Sequence, residues 1–517
     1  MKKRSLICKI KDALPSGKIC SWLAVAALGL TLASCAQDGY DDDEKWQSSV
    51  TNSQLETPSE DDVVITASED ETKTIITWPV VHGAGGYLCT LQDVSDTENP
   101  VFIEDYNEKL IDGCSLTITR EEDVKYRFSI RTAGNEKLNN TEAETTTTKD
   151  FSTFTPTYTT IPAGVDLYQW FQENPIPAGE EADAIKAELY ADMGIAPEDI
   201  TNQLLNYDLE PGGDYTLSQP LDFLDNKVAL RSSKKTNNAN LKILGDATCF
   251  NTYASLSLKY LNIDCSETNK GLVELSKTPD EAIKGATGVG DYYNIIGTVM
   301  LSGCNINGVN GVLITDNGLK YCLCTFMINN CVVHLTSNSA TTIQDRAFVY
   351  FNYGYVNDLT VQNSTFWNTG ETNAKYFVRY QNSGRPDRAG YEKGSVSFIS
   401  STFYNVAKTG QWANYDGIVA FKGSTFTMTD CIFADCAKDI ARRFIKNYST
   451  NPTYRFGNNT YLYDMAAGAF DDNAANYDKS GTIITSIPDF SDPANGDFTL
   501  TSSEQAEKRT GDPRWLP

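Results

Sequence analysis

The feature that most constrains this chain is a degenerate repeat running from about residue 258 to the C-terminus. Its anchors are Ser266, Cys304, Cys331, Ser364, Ser401, Cys431 and Asn459. Five residues before them stand Leu261, Val299, Phe326, Leu359, Val396, Phe426 and Tyr454, and three before stand Ile263, Leu301, Ile328, Val361, Phe398, Met428 and Phe456. Two after stand Thr268, Ile306, Val333, Phe366, Phe403, Phe433 and Tyr461. Residues two apart share one face of a strand. The parity slips by one between the −3 position and the anchor, so both pairs face the same interior only if the chain bends at −1. That position holds Cys265, Gly303, Asn330, Asn363, Ser400, Asp430 and Asn458, and Gly, Asn and Asp tolerate the left-handed backbone of a sharp bend. The anchors recur unevenly, roughly every thirty residues, which excludes a strict short-repeat solenoid and suits coils with variable loops. Stacked about 4.8 Å apart, the coils place Phe366, Phe403, Phe433 and Tyr461 in an internal aromatic stack.

A further strand precedes each bend. Five align: Val312–Asp316, Phe348–Asn352, Phe377–Gln381, Ile418–Lys422 and Phe444–Tyr448. Their second column is aliphatic and reads as inward. The third and fifth columns then face out, with Ile314, Tyr350, Arg379, Ala420 and Lys446 in one and Asp316, Asn352, Gln381, Lys422 and Tyr448 in the other. This pattern of coils and Asn-rich bends resembles the right-handed parallel β-helix of the pectate-lyase-like superfamily, over residues 206–517. The terminal Gly511-Asp512-Pro513-Arg514-Trp515 likewise resembles the closing motif of surface lipoproteins of this kind.

The N-terminus supplies an address. Lys2, Lys3 and Arg4 precede an apolar run from Trp22 to Ala33, too short to span a bilayer but long enough for a signal-peptide core. Leu32-Ala33-Ser34-Cys35 resembles a bacterial lipobox, which implies cleavage after residue 34 and lipid on Cys35. Asp38, Asp41, Asp42, Asp43 and Glu44 open an acidic tether over 35–58 that resembles the export signal of Bacteroidota-type surface lipoproteins. The expected location is therefore the outer membrane, lipid-anchored and facing outward. Residues 59–155 hold short alternating strands, including Thr74–Trp78, Gly85–Thr90 and Tyr126–Arg131, and with Trp78 as core anchor they are similar to a fibronectin type III domain. Helical spacing in Asp166–Phe171 and Glu180–Met193 marks 156–205 as a helical cap. The expected fold is thus all-β: a sandwich, a short helical cap and a parallel β-helix.

Composition narrows the chemistry. The 517 residues carry a net charge of −25, which argues against nucleic acid as a partner. With only His82 and His334 present, triad and multi-histidine metal chemistry are disfavoured. Of 13 cysteines, ten lie beyond Cys35; they show no metal spacing and read as buried small apolar residues, with Cys89 and Cys114 able to pair.

In the superfamily the strand before the bend-forming pair lines a glycan groove. The resemblance implies a groove here of Tyr350, Asn352, Arg379, Gln381, Lys422 and Lys446. Arginine can grip a uronate carboxylate through two hydrogen bonds. Hydrolysis would need paired carboxylates, and these columns offer only Asp316. Lyase chemistry would use Arg379, Lys422 or Lys446 as base, with Ca2+ held by loop carboxylates such as Asp345, Asp387 or Asp416. The reading favoured is non-catalytic capture of a plant-type, uronate-rich polysaccharide alongside other glycan-uptake proteins of the surface. A calcium-dependent lyase is the alternative, and an adhesin or scaffold the weaker one.

Overall fold

The structure is a computed structural model. It describes residues 50–517 except 68–72, 96–98, 104–105, 122, 194, 196, 246–248, 286–290, 310–311, 337–346, 371–374, 382–393, 416–422 and 446–451. The chain divides into two compact units, residues 1–155 and 156–517. The lipobox at Cys35 lies outside the described residues, and among those described no helix is long and apolar enough to cross a membrane.

The first unit is antiparallel. One sheet joins Val64–Ala67, Lys73–Thr77 and Ser115–Thr119, and the other is built on Tyr87–Asp93, Lys125–Thr132 and Thr147–Ser152. Alternation drives its core. In Lys125–Thr132 the residues Tyr126, Phe128 and Ile130 are buried while their neighbours face outward. Trp78 is 4% exposed and packs on Phe128 and Tyr87, with ring centroids 5.7 and 5.5 Å away. Cys89 and Cys114 are separate thiols; Cys114 instead lies 3.8 Å from the Tyr87 hydroxyl.

The second unit is three stacked parallel sheets that the chain visits in turn. Sheet I contains, in order, Leu205–Leu209, Val228–Ser232, Leu256–Lys259, Tyr293–Ser302, Tyr321–Asn329, Tyr355–Gln362, Ser395–Ile399, Thr425–Thr429 and Thr453–Gly457, with Thr159–Ile161 at its start. Sheet II follows each bend: Asp214–Leu217, Ala239–Ile243, Leu261–Asp264, Asn305–Val309, Val332–Leu335, Thr365–Asn368, Thr402–Tyr404, Ile432–Ala434 and Thr460–Asp464, ending on antiparallel Ala469–Phe470. Sheet III returns the chain through Leu221–Leu224, Phe250–Thr252, Val273–Leu275, Ile314–Thr315, Ala347–Phe351, Tyr376–Tyr380 and Gln411–Asn414. Helices Leu167–Glu173 and Gly179–Leu189 precede the stack and bury Leu167, Phe171 and Ala182 against the core of this unit. Asp166 caps the first of them, accepting from the Gln169 amide at 3.1 Å, while its other oxygen takes the Thr216 hydroxyl and the Ser218 amide.

The bends are left-handed at Gly303, Asn330, Asn363, Ser400, Asp430 and Asn458, with φ between 44° and 62°. The small polar anchors then serve the bend directly. Ser364 and Ser401 donate to the carbonyls of Gln362 and Ile399, two residues back, and accept the backbone amides of Cys331 and Ser364 in the preceding coil. Cys331 and Cys431 turn their thiols onto Asn329 and Thr429 in the same way. Each of these carbonyls also accepts the amide of the bend residue one coil earlier, so the anchor side chain supplies it with a second donor. The aromatic stack forms as the spacing implies: Phe366–Phe403, Phe403–Phe433 and Phe433–Tyr461 lie 5.5, 5.1 and 5.7 Å apart and nearly parallel.

One repeat is placed differently from its sequence reading. Leu256 pairs with Val299 and Ile263 with Ile306, so the bend before sheet II falls at Tyr260 (φ 56°), not Cys265. The true anchor is Leu261, five residues before Ser266. Tyrosine rarely takes a left-handed bend, which hid it. Its ring lies against Gly303 of the next coil, where a Cβ would come within 2.5 Å; glycine there meets both the close approach and the positive φ.

Candidate functional site

Sheet III brings part of the sequence-derived groove together. Tyr350 and Arg379 are register partners on adjacent strands, both partly exposed, flanked by Thr315 and Asn414. The Tyr350 hydroxyl donates to Gln381 Oε1 at 2.7 Å. The Arg379 guanidinium sits 4.8 Å from the centroid of the Tyr376 ring, with the Lys375 ammonium 5.8 Å from the same ring. Such stacking restricts the plane of an arginine fork. Asn352 is partly exposed just beyond Tyr350. Two strands beyond Tyr350 the same outward column holds Glu274, in register with Thr315. Lys375 and Glu274 were not among the residues the sequence singled out, because neither stands in the five aligned strands.

The remaining assignments change. Ile314, not Leu313, pairs with Val349, so Ile314 is buried and Thr315 is the outward residue. The one-residue slip also turns Asp316 inward. It is fully buried and accepts the amides of Gly318, Tyr353 and Gly354 at 2.6–3.0 Å. Burial pushes its pKa up against those donors. Asp316 is thus a loop clamp, not an outward carboxylate. The sheet III strand after Arg379 is Gln411–Asn414, not Ile418–Lys422, and Phe444 ends a short helix, Ile440–Phe444, with its ring buried. Lys422, Lys446, Asp345, Asp387 and Asp416 lie outside the described residues.

Sheet II carries a feature that the inward-facing pattern could not reveal. Its outward column begins Asp214, Asn240, Asn262, Asn305, in direct register. Each asparagine donates to the preceding side chain: Asn240 to Asp214 at 2.9 Å, Asn262 to Asn240 at 2.9 Å and Asn305 to Asn262 at 2.8 Å. The row floors an open cleft of about 650 Å³ walled by Gly164 and Val165. Further along the same face the C-terminal segment covers the strands. Phe490, Phe498, Leu500 and Ala506 form a second small core on Ile432, Ala434 and Leu462, with Trp367, Tyr404 and Trp515 packed against it. His334 stands at the border. It bonds Asn307 at 2.7 Å and stacks on Trp367 at 3.8 Å, and burial lowers its pKa.

Among the described residues no group of three or more His, Cys, Asp or Glu is placed to hold a metal ion. Three family models, each described as a domain of unknown function, match this chain: one over residues 16–194, a second (DUF4957) over 213–369 and a third (DUF5123) over 396–515. The first match crosses the boundary between the two compact units, and the other two divide the stacked sheets between them. Arg379 lies between the second and third matches. No curated protein and no solved structure matches.

Proposed function

We propose that this protein is a lipid-anchored cell-surface binder of acidic polysaccharide. In this reading Cys35 carries the lipid, the first unit is a fibronectin type III-like spacer, and the three sheets are a right-handed parallel β-helix of the pectate-lyase-like kind. The glycan lies across sheet III. The observation that carries the reading is the pairing of Tyr350 with Arg379. A flat aromatic residue and a planar cationic one stand in register on neighbouring strands, and strands are spaced about 4.8 Å apart, comparable to one sugar residue. Arg379 takes a uronate carboxylate and Tyr350 lies against a neighbouring ring. Asp316, held by three backbone amides in the protein interior, is not available as a catalytic acid or base, which favours capture over hydrolysis.

The test is affinity electrophoresis in gels containing polygalacturonate, with and without calcium, combined with an ultraviolet assay for unsaturated products. Retardation without new absorbance supports the reading. Arg379→Ala should weaken binding about ten- to hundredfold, the equivalent of roughly 1.5–3 kcal/mol for a charge-assisted pair. New absorbance that depends on calcium would establish the lyase instead. Absence of both retardation and absorbance would leave a surface adhesin.

A further inference from the structure

The open half of sheet II has the attributes of a site distinct from the Tyr350–Arg379 face. It is concave, uncovered, and floored by amide side chains repeating at strand spacing. The hydrogen bonds within the row do not exhaust those amides. Asn240 gives both its protons, to Asp214 and to the Gly212 carbonyl, and its oxygen accepts one bond from Asn262, leaving a lone pair. Asn262 accepts twice, from Asn238 and Asn305, and keeps one N–H. Asn305, the most exposed rung, keeps one N–H and its oxygen. Along the cleft the floor therefore presents an acceptor at Asn240, a donor at Asn262 and both at Asn305, one rung per coil.

Hydroxyl groups match such a surface, because each both donates and accepts. Charge excludes the alternatives. Lys242 in the cleft is tied to Glu267 at 2.9 Å, while Asp214 and Asp264 remain on the floor, so the surface is mildly acidic and a polyanion is repelled. A peptide adding to a sheet uses an open strand edge, whereas here the inner strands of the floor are paired on both sides and the outer edge of the first bonds the backbone of Gly164 and Val165.

We infer that this cleft binds an extended chain of neutral sugars lying across the strands, as a second polysaccharide site of different specificity from sheet III. Each sugar ring spans about one strand spacing and meets one amide rung. The site does not depend on the sheet III reading, since no residue is shared.

The experiment is affinity electrophoresis of the full chain in gels containing neutral xylan, mixed-linkage glucan, galactan or mannan, with polygalacturonate alongside. The expected result is retardation by at least one neutral polysaccharide, weakened tenfold or more in Asn262→Ala/Asn305→Ala and unaffected by Arg379→Ala. Thermal unfolding checks that the double variant is folded. If it is not, Asn305→Asp supplies the test at the exposed end rung, where loss of the donor and an added negative charge should weaken retention severalfold. No retardation in any neutral gel, retardation unchanged in these variants, or binding of an unfolded polypeptide such as reduced casein at this cleft would each overturn the inference. Failure of Arg379→Ala to affect polygalacturonate would instead strike the sheet III reading alone.

Discussion

Sheet II is one continuous face in two states. Over its first strands the outward residues are Asp214, Asn240, Asn262 and Asn305, and the surface is open. Over its later strands the same column reads Val332, Thr365, Thr402 and Ile432, and the next outward column reads His334, Trp367, Tyr404 and Ala434. There the C-terminal segment lies on top. Its closing residues are fastened by polar contacts as well as apolar ones. Asp512, 1% exposed, accepts the Thr365 hydroxyl at 2.7 Å, and its amide donates to Thr402. Arg514 pairs with Asp512 and reaches Asn330 at a bend, and the Trp515 indole donates to Thr365. The comparison teaches that the coil does not dictate the character of its exterior. Identical backbone positions carry Val332, Ile432 and two cover-fastening threonines where a cover is held, and Asp214 with three asparagines where it is absent. One half of the face contributes to stability and the other is free for a ligand.

The largest effect should come from removing the cover. Deleting residues 488–517 exposes Trp367, Tyr404, Ile432 and Leu462 together, a patch of the kind that drives aggregation. The expected outcome is insoluble protein, or a steep fall in melting temperature with strong binding of a hydrophobic dye. A soluble, fully stable truncation would mean that the cover adds nothing to the fold. Next is Phe498→Ala. This ring is fully buried and meets Trp367, Tyr404, Phe490 and Trp515 within 5.2–6.3 Å. Its loss should cost about 3–5 kcal/mol in chemical denaturation.

A smaller effect is set by pH. Asp489 accepts the Thr501 hydroxyl at 2.6 Å and the Ser502 amide at 2.8 Å, pinning the covering segment. Partial burial works against its charge, but these donors outweigh it and hold the carboxyl well below its ordinary range. The folded value is depressed, so its stabilisation is complete above the unfolded carboxylate pKa near 4 and is lost as pH falls through the lower folded value. Wild type should therefore exceed Asp489→Asn in stability at neutral pH, and the difference should shrink as the pH is taken below about 4. A difference independent of pH would show that the clamp acts through shape alone.

The interior of the coil was legible because its signal is local and periodic. The bends at Asn330, Asn363 and Asn458 need a left-handed backbone that few residues tolerate, and Phe366, Phe403 and Phe433 repeat in fixed phase to them. The first bend was missed because Tyr260 takes that conformation without the usual residue type. Sheet III was misread near Asp316 because its strand there is only Ile314–Thr315, too short for alternation to set a register. Gln411–Asn414 was overlooked for the apolar run at Ile418, since Trp412 and Ala413 are consecutive buried residues and break period two. The cover lay beyond local reading altogether. Asp512 and Thr365 meet across 147 residues, and nothing in either neighbourhood announces the other. The same holds for the asparagine row, whose members are adjacent only through the stacking of coils.

The division of labour on sheet II is tested most directly by equilibrium unfolding of Asp512→Ala and Asn262→Ala side by side. Asp512→Ala removes a buried carboxylate with its hydroxyl and guanidinium partners and should lose about 2–4 kcal/mol. Asn262→Ala removes partly exposed amide bonds that water replaces and should lose less than about 1 kcal/mol. Comparable losses in the two variants, or a larger loss at Asn262, would contradict the account by making the open row a structural element like the covered one.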